Sequence, residues 1–283
     1  MRIISAPGEL TELISSFKKN NQTIGFVPTM GALHDGHLSL IHQSLKENDL
    51  TVVSIFVNPL QFDNASDLEK YPRVIDEDIK MLGENHVDVV FVPEEQTFYP
   101  QKPIISIDFG VLSERLEGKF RKGHFEGVGV VISKFLHLVD PDRVYFGLKD
   151  LQQYLLIKRM CTDLQFQCKV IGVNTVREES GLALSSRNRR LSSEGLKVAA
   201  VINRGLNFIK KGIIEQSDLQ RLLKEVNKIY ESEKGFELEY LEVVNPADLS
   251  SIDNYSHLSE LAICVAGYVE GVRLIDNLYL RLK

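Results

Sequence analysis

The sequence predicts an α/β protein: a mostly parallel sheet covered on both faces by helices, followed by a smaller α+β unit. Three observations carry this prediction. Short apolar runs of strand length alternate with helix-like segments over the first part of the chain. Runs such as "TVVSIFV" and "VDVVFVP" are largely apolar, as buried strands of a sheet covered on both faces require. Near Val176 the alternation gives way to a polar stretch, two helices and three strands. A domain boundary is therefore expected there, with residues 1–175 and 176–283 as the two domains.

The elements follow in order. "TELISSFKK" reads as a helix because Leu13, Ile14 and Phe17 share one face. "TIGFVP" reads as a buried strand, "HLSLIHQSLKEN" as a helix and "TVVSIFV" as a β-branched strand. Pro72 lies near a helix start, and Ile75, Ile79 and Leu82 continue at helical spacing. "VDVVFVP" is a strand. "GVGVVISKFLHLV" suggests a buried helix, although Val131 and Ile132 would also suit a strand. "RVYFG" is a short strand, "DLQQYLLIKRMCTDL" a helix and "QCKVIGV" a strand. The polar "REESGLALSSRNRRLSSEG" reads as loop, with helices expected around 196–210 and 217–231. Three strands close the chain, and Glu270-Gly271 between the last two marks a hairpin.

Composition excludes several classes of function. The 283 residues are 43% hydrophobic and 25% charged, ordinary for a globular protein with a sizeable core. A net charge of −6 gives no general attraction for nucleic acid or an anionic membrane, so any phosphate site must be local. No run approaches the roughly 18 apolar residues of a membrane span. The opening "MRIISAPGELTEL" lacks the apolar core of a signal peptide. Cys161, Cys168 and Cys264 are scattered, with no C-x-x-C spacing, and read as free thiols of a cytoplasmic protein.

The stretch "GFVPTMGALHDGHLSL" holds His34 and His37 where a strand passes into a helix. In an open parallel sheet, ligands bind beyond the carboxyl ends of the strands. A helix N-terminus there offers N–H groups and a positive dipole end, both suited to phosphate. Gly31 and Gly36 permit close approach of backbone to ligand. The histidines can donate hydrogen bonds to charge developing on phosphorus. Spacing alone leaves two other readings open: a loop with surface histidines, and a metal site short of ligands.

Three further motifs repeat the pattern. Asn58 and Gln61 follow the strand of "SIFVNPLQF" and bring uncharged amides to the same crevice, unless they merely form an Asn-Pro turn. In "RVYFGLKDLQQ", Gly147 ends a strand, Lys149 suits phosphate, Asp150 suits a helix cap or ribose hydroxyls, and Gln153 follows in the helix. The alternative for Lys149 is a solvated surface lysine. "ALSSRNRRL" sets two serines beside Arg187, a local anion site or a charged linker. "LEGKFRKGHFEG" is a basic, glycine-punctuated loop in which spacing gives His124 no role. Together, motifs at successive strand ends and at a domain junction point to one nucleotide-using site.

The set "PTMGALHDGHLSL", "SIFVNPLQF", "YPR", "GHFEGV", "FGLKDLQQ", "GLALSSRN" and "RLIDN" covers nearly the whole chain. In order and spacing it resembles pantothenate synthetase, also called pantoate–beta-alanine ligase, a family of the nucleotidyltransferase superfamily with its His-x-Gly-His signature. The resemblance implies a Rossmann-like N-terminal domain with a C-terminal lid domain, a homodimer, and ATP-dependent joining of pantoate to beta-alanine with release of AMP and pyrophosphate. It implies that Met30, Gly31, Ala32, Leu33, His34, Asp35, Gly36 and His37 form a first ATP segment, with His37 as proton donor. Gly147, Leu148, Lys149 and Asp150 match a second ATP segment, and Val176 a backbone contact to adenine. Leu184, Ser185, Ser186 and Arg187 match a mobile phosphate loop. Gln61 and Gln153 match pantoate contacts, Gln61 extending to beta-alanine, with Asn58 beside them. The family commonly has Glu where this chain has Leu148, so a side-chain role is not carried over there. Magnesium is implied with ATP, through ATP oxygens or an acidic residue such as Asp78.

The resemblance supplies a chemical reason for the motifs. A carboxylate does not react with an amine at neutral pH, because its oxygen is a poor leaving group. Transfer of AMP to pantoate makes a mixed anhydride with a good one. His34, His37, Lys149, Ser186 and Arg187 suit stabilisation of the oxygen-rich transition state at the α-phosphorus.

Overall fold

The apolar runs of the first part assemble into one six-stranded, all-parallel sheet. The computed structural model describes residues 1–62 and 68–282. Its strands are β1 (Arg2–Ile4), β2 (Ile24–Thr29), β3 (Leu50–Ile55), β4 (Val89–Phe91), β5 (Arg143–Gly147) and β6 (Lys169–Val173). Their order across the sheet is β1-β4-β3-β2-β5-β6. The chain winds outward from β2 in one direction through β3 and β4, then returns to the other side of β2 for β5 and β6. The topological switch point therefore falls between β2 and β5, whose register pairs Gly25 with Arg143 and Phe26 with Val144.

Successive strand residues face opposite sides and feed two cores. Phe26, Val52, Phe91, Val144 and Phe146 pack in one cluster with residues of α1 (Pro7–Lys19) and the helix His124–Val139. Val27, Val53, Val90 and Tyr145 pack in the other, against Leu40 and Ile41 of α2 (Asp35–Glu47) and Leu82 of α3 (Ile75–Glu84). Burial on both faces is why every residue of β3 is buried and why the runs lack a polar alternation. The ambiguous segment at Val131 is helical, because its apolar residues serve one core from a 16-residue helix.

The chain divides into two compact units. The first comprises residues 1–113, 117–148 and 152–174; the second comprises 114–116, 149–151 and 175–283. Lys149, Asp150 and Leu151 thus belong with the second unit, although in sequence they lie within the first.

The second unit has its own core and a three-stranded antiparallel sheet in the order β7 (Phe236–Val244), β8 (Glu260–Val269), β9 (Val272–Arg281). Val269 pairs with Val272 across a two-residue turn. Glu270 and Gly271 both have positive φ, 53° and 73°, which is the hairpin turn that matches strand twist. The helix expected around 196–210 is two helices, Ser193–Ala199 and Val201–Ile214, meeting at Ala200. The helix expected at 217–231 runs Leu219–Ser232, capped by Asp218, whose carboxylate accepts from the Arg221 N–H at 2.8 Å.

Candidate functional site

The loop after β2 stands at the switch point, and its shape is set by a residue far along the chain. Gly31 and Ala32 have positive φ, 82° and 51°, which turns consecutive N–H groups toward one point. Asp78 of α3 occupies that point. Its two carboxylate oxygens accept from the Ala32 and Leu33 N–H groups, each at 2.8 Å, and the residue is 2% exposed. A Cβ at Gly31 would stand 2.9 Å from the same carboxylate, so glycine is required for closeness as well as for φ. Asp78 is therefore the clamp of the loop. Among the described residues, no group of three or more His, Cys, Asp or Glu side chains could hold a metal ion.

The two histidines cap α2. His34 is the N-cap, and its Nδ1 accepts from the Gly36 N–H at 3.1 Å. His37 answers from the first turn: its Nδ1 accepts from the His34 N–H at 3.3 Å. This is a capping box built from imidazoles in place of the usual Ser or Thr and Glu. Because both Nδ1 atoms accept, the neutral rings carry their proton on Nε2. The rings lie 4.2 Å apart at 47° and are half-buried. The N–H groups of His37 and Leu38 go to the His34 carbonyl, at 2.7 and 3.1 Å. The Gly36, His37 and Leu38 N–H groups, expected to be open to phosphate, are therefore bonded within the helix start. Asp35 is exposed beside them.

The turn after β3 holds Gln61 rigidly. Gln61 is 7% exposed; its Oε1 accepts from Asn58 Nδ2 at 3.1 Å, and its Nε2 donates to Met30 Sδ at 3.2 Å. Asn58 is 1% exposed. Its Nδ2 also donates to the Gly127 carbonyl at 3.1 Å, and its Oδ1 accepts from Tyr99 Oη at 3.1 Å and the Leu60 N–H at 3.4 Å. With two donors and two acceptor positions engaged, Asn58 has nothing left for substrate. It orients Gln61. Burial raises the Tyr99 hydroxyl well above its usual value, so it stays a donor.

Two residues that sequence reasoning missed complete this brace. His124 Nδ1 donates to the Gln61 carbonyl at 2.8 Å, and its Nε2 accepts from Arg121 at 3.1 Å. A Cβ on Gly127 would lie 2.3 Å from the Leu60 carbonyl, so only glycine lets that helix approach the turn. Their one visible signal was the "GHFEG" string within the basic loop.

Past the end of β5, Leu148 packs on the neighbouring strand: a Cβ at Gly172 would meet Leu148 Cδ2 at 2.6 Å. Leucine at this position has a packing role. Gly147 has open space where a side chain would stand. Gln153 is half-buried. Its neighbour Gln152 is 5% exposed and spans from the Glu117 N–H, at 2.9 Å, to the Leu112 carbonyl, at 2.7 Å.

In the second unit, the stretch 176–190 is looped but ordered by its own bonds. It turns as a hairpin, with the Leu184 N–H donating to the Val176 carbonyl at 3.0 Å and Arg177 bridged to Ala183. The Val176 carbonyl is thus engaged within the hairpin. A 3₁₀ turn, Ser186–Arg190, follows, capped by Ser185 Oγ accepting from the Arg187 N–H at 3.3 Å. Asn188 braces it by donating to the Ala183 carbonyl at 3.0 Å. Lys149, Ser185, Arg187, Asn188, Arg273 and Asp276 line one small cleft of this unit. Lys149 Nζ lies 3.7 Å from Asp150 Oδ1.

A parallel doubly wound sheet, with a glycine loop and paired imidazoles at its switch point, defines an α/β protein of the nucleotide-binding class. The model of the Pantoate-beta-alanine ligase family matches residues 2–279, and the chain belongs to that family. It is a ligase that joins pantoate to beta-alanine, as the resemblance implied. The pantothenate synthetase of Cytophaga hutchinsonii is 47% identical over 266 residues, 94% of either chain. That of Sulfurihydrogenibium sp. is 43% identical over 280 residues, 98% of this chain and 99% of the other. The crystal structure of the Thermus thermophilus enzyme is 40% identical with a TM-score of 0.93, covering 98% of this chain and 99% of that one. The Francisella tularensis ligase, crystallised with beta-gamma ATP and beta-alanine, is 38% identical with a TM-score of 0.80, covering 98% and 97%. Among the described residues, no helix is long and apolar enough to cross a membrane.

Proposed function

We propose that the chain condenses (R)-pantoate with beta-alanine in two steps through a bound pantoyl adenylate, within pantothenate and coenzyme A biosynthesis. In the first step a pantoate carboxylate oxygen attacks the α-phosphorus of ATP and pyrophosphate leaves. In the second the beta-alanine amine attacks the acyl carbon, loses a proton and displaces AMP. The observation that carries this reading is the imidazole capping box, which fixes both Nδ1 atoms as acceptors and leaves Nε2–H as the donor of each ring. Donors fixed in advance stabilise charge that develops on phosphate oxygens without reorganising during the reaction.

His37 serves the α-phosphate and His34 the triphosphate beside it. Gly31, Ala32 and Leu33 shape the loop that carries them. Lys149, Ser185, Ser186 and Arg187 offer cationic and hydroxyl donors to the phosphates, and the Val176 N–H serves adenine. Gln61 and Gln153 take the hydroxyl and carboxylate of pantoate, with Gln61 held in place by Asn58. Asp78 accepts from two N–H groups of the loop, so no separate protein site for magnesium is invoked. Magnesium enters with ATP, on phosphate oxygens, in keeping with its habit of retaining few protein ligands.

The protein works as a cytoplasmic homodimer. Three thiols without disulfides agree with the compartment. The segment with Ile104 99% exposed and Ile105 70% exposed, and Val111 beyond it, supports a partner surface.

Pyrophosphate release from ATP and pantoate, measured with and without beta-alanine, tests the chemistry. A stoichiometric burst without amine, and positional isotope exchange in ATP, are expected. No burst and no exchange would overturn the adenylate. Continued turnover without amine would instead favour an adenylyltransferase that stops at the activated product.

A further inference from the structure

We propose that Asn277 is a positioning residue for Lys149: its side-chain amide fixes the turn from which the lysine reaches phosphate. This rests on the assignment of Lys149 above. Asp276 and Asn277 stand side by side in β9, 4% and 6% exposed, among Leu274, Ile275 and Leu278. Buried polar residues in the middle of a strand are costly unless every group is bonded. Their partners are informative. Asn277 Nδ2 donates to the Lys149 carbonyl at 2.7 Å. The Asn277 N–H donates to Asp276 Oδ1 at 2.7 Å, and its carbonyl accepts from Arg177 Nη2 at 3.3 Å. Arg177 grips the Asp276 carboxylate with both terminal nitrogens, at 2.6 and 2.9 Å, and donates to the Gly181 carbonyl at 3.0 Å.

One buried network thus ties three separate pieces of the second unit. They are the short turn bearing Lys149, the strand β9, and the hairpin that leads into Ser185, Ser186 and Arg187. A lysine's reach is measured from its backbone, so displacing that backbone displaces the region its charge can occupy. Lys149 is only 16% exposed in its side chain and lines the same cleft as Arg187. The Asn277 amide is the side-chain bond that holds the Lys149 carbonyl to the strand. Its loss leaves the lysine present but displaced, and misplacement by about 1 Å costs on the order of a hundredfold in rate.

The test is a double-mutant cycle of Asn277→Ala and Lys149→Ala, read as kcat/KM for ATP and KM for pantoate, with thermal unfolding as control. Asn277→Ala is expected to lower kcat/KM for ATP by about ten- to a hundredfold and to leave pantoate KM within about twofold. In the Lys149→Ala background the same substitution should add less than about twofold, because residues acting through one another are not additive. Asn277→Asp, equal in shape but without the N–H donor, should reproduce the loss and replaces Asn277→Ala if that variant does not fold. Equal losses in both backgrounds would make Asn277 structural and overturn the proposal. So would a damaged Lys149→Ala beside an intact Asn277→Ala. Native activity in Lys149→Ala would remove Lys149 from the chemistry, and this proposal with it.

Discussion

Replacing Asp78 with Asn separates the loop clamp from a metal ligand. The carboxylate accepts two backbone N–H groups at 2.8 Å in a site only 2% exposed. Asparagine is isosteric but keeps one acceptor oxygen, so its NH₂ must face the Ala32 or Leu33 N–H. One charge-assisted bond is lost, the other becomes neutral, and a buried donor is stranded; the sum is about 2–4 kcal/mol. For a chain of this size that lowers Tm by about 5–15 °C. Gly31 and Ala32, held at positive φ by the clamp, should relax, and His34 and His37 with them, lowering kcat about tenfold or more. Calorimetry in the presence of a chelator, and kcat against magnesium concentration, check this. The expected result is a lower Tm without metal and an unchanged magnesium half-saturation. An unchanged Tm with a raised magnesium requirement would refute the clamp and restore Asp78 as a ligand.

His37→Ala should fold and lose about 100- to 1000-fold in the rate of pyrophosphate release, the usual effect of deleting one preorganised donor; a near-native rate removes His37 from the mechanism. Gln61→Ala should weaken pantoate by about 1–3 kcal/mol and ATP far less, measured by separate titrations; equal weakening of both contradicts the assignment. Ile104→Asp with Ile105→Asp should leave folding intact and shift sedimentation from dimer to monomer, whereas an unchanged dimer places the partner surface elsewhere.

The sheet, its helices and the strand ends that carry the motifs were legible in the sequence, because they depend on local hydrophobic patterns of about five to fifteen residues. The two-residue hairpin at Glu270-Gly271 was legible for the same reason: its φ values follow from neighbouring residues. The order β4-β3-β2-β5 was not, yet it decides that the loops after β2 and β5 share a switch point. The tasks of the polar residues were also hidden. Asp78 and Asn58 resembled ligands by residue type. Tertiary structure gave Asp78 the N–H of Ala32, 46 residues away, and gave Asn58 the carbonyl of Gly127, 69 away. Asn277 reaches Lys149 across 128 residues. Sequence patterns specify which residues must leave water, since burial is set by the local period of apolar side chains. Which donor meets which acceptor inside is decided only when distant segments pack, because each buried polar group takes the partner that the completed fold puts within reach.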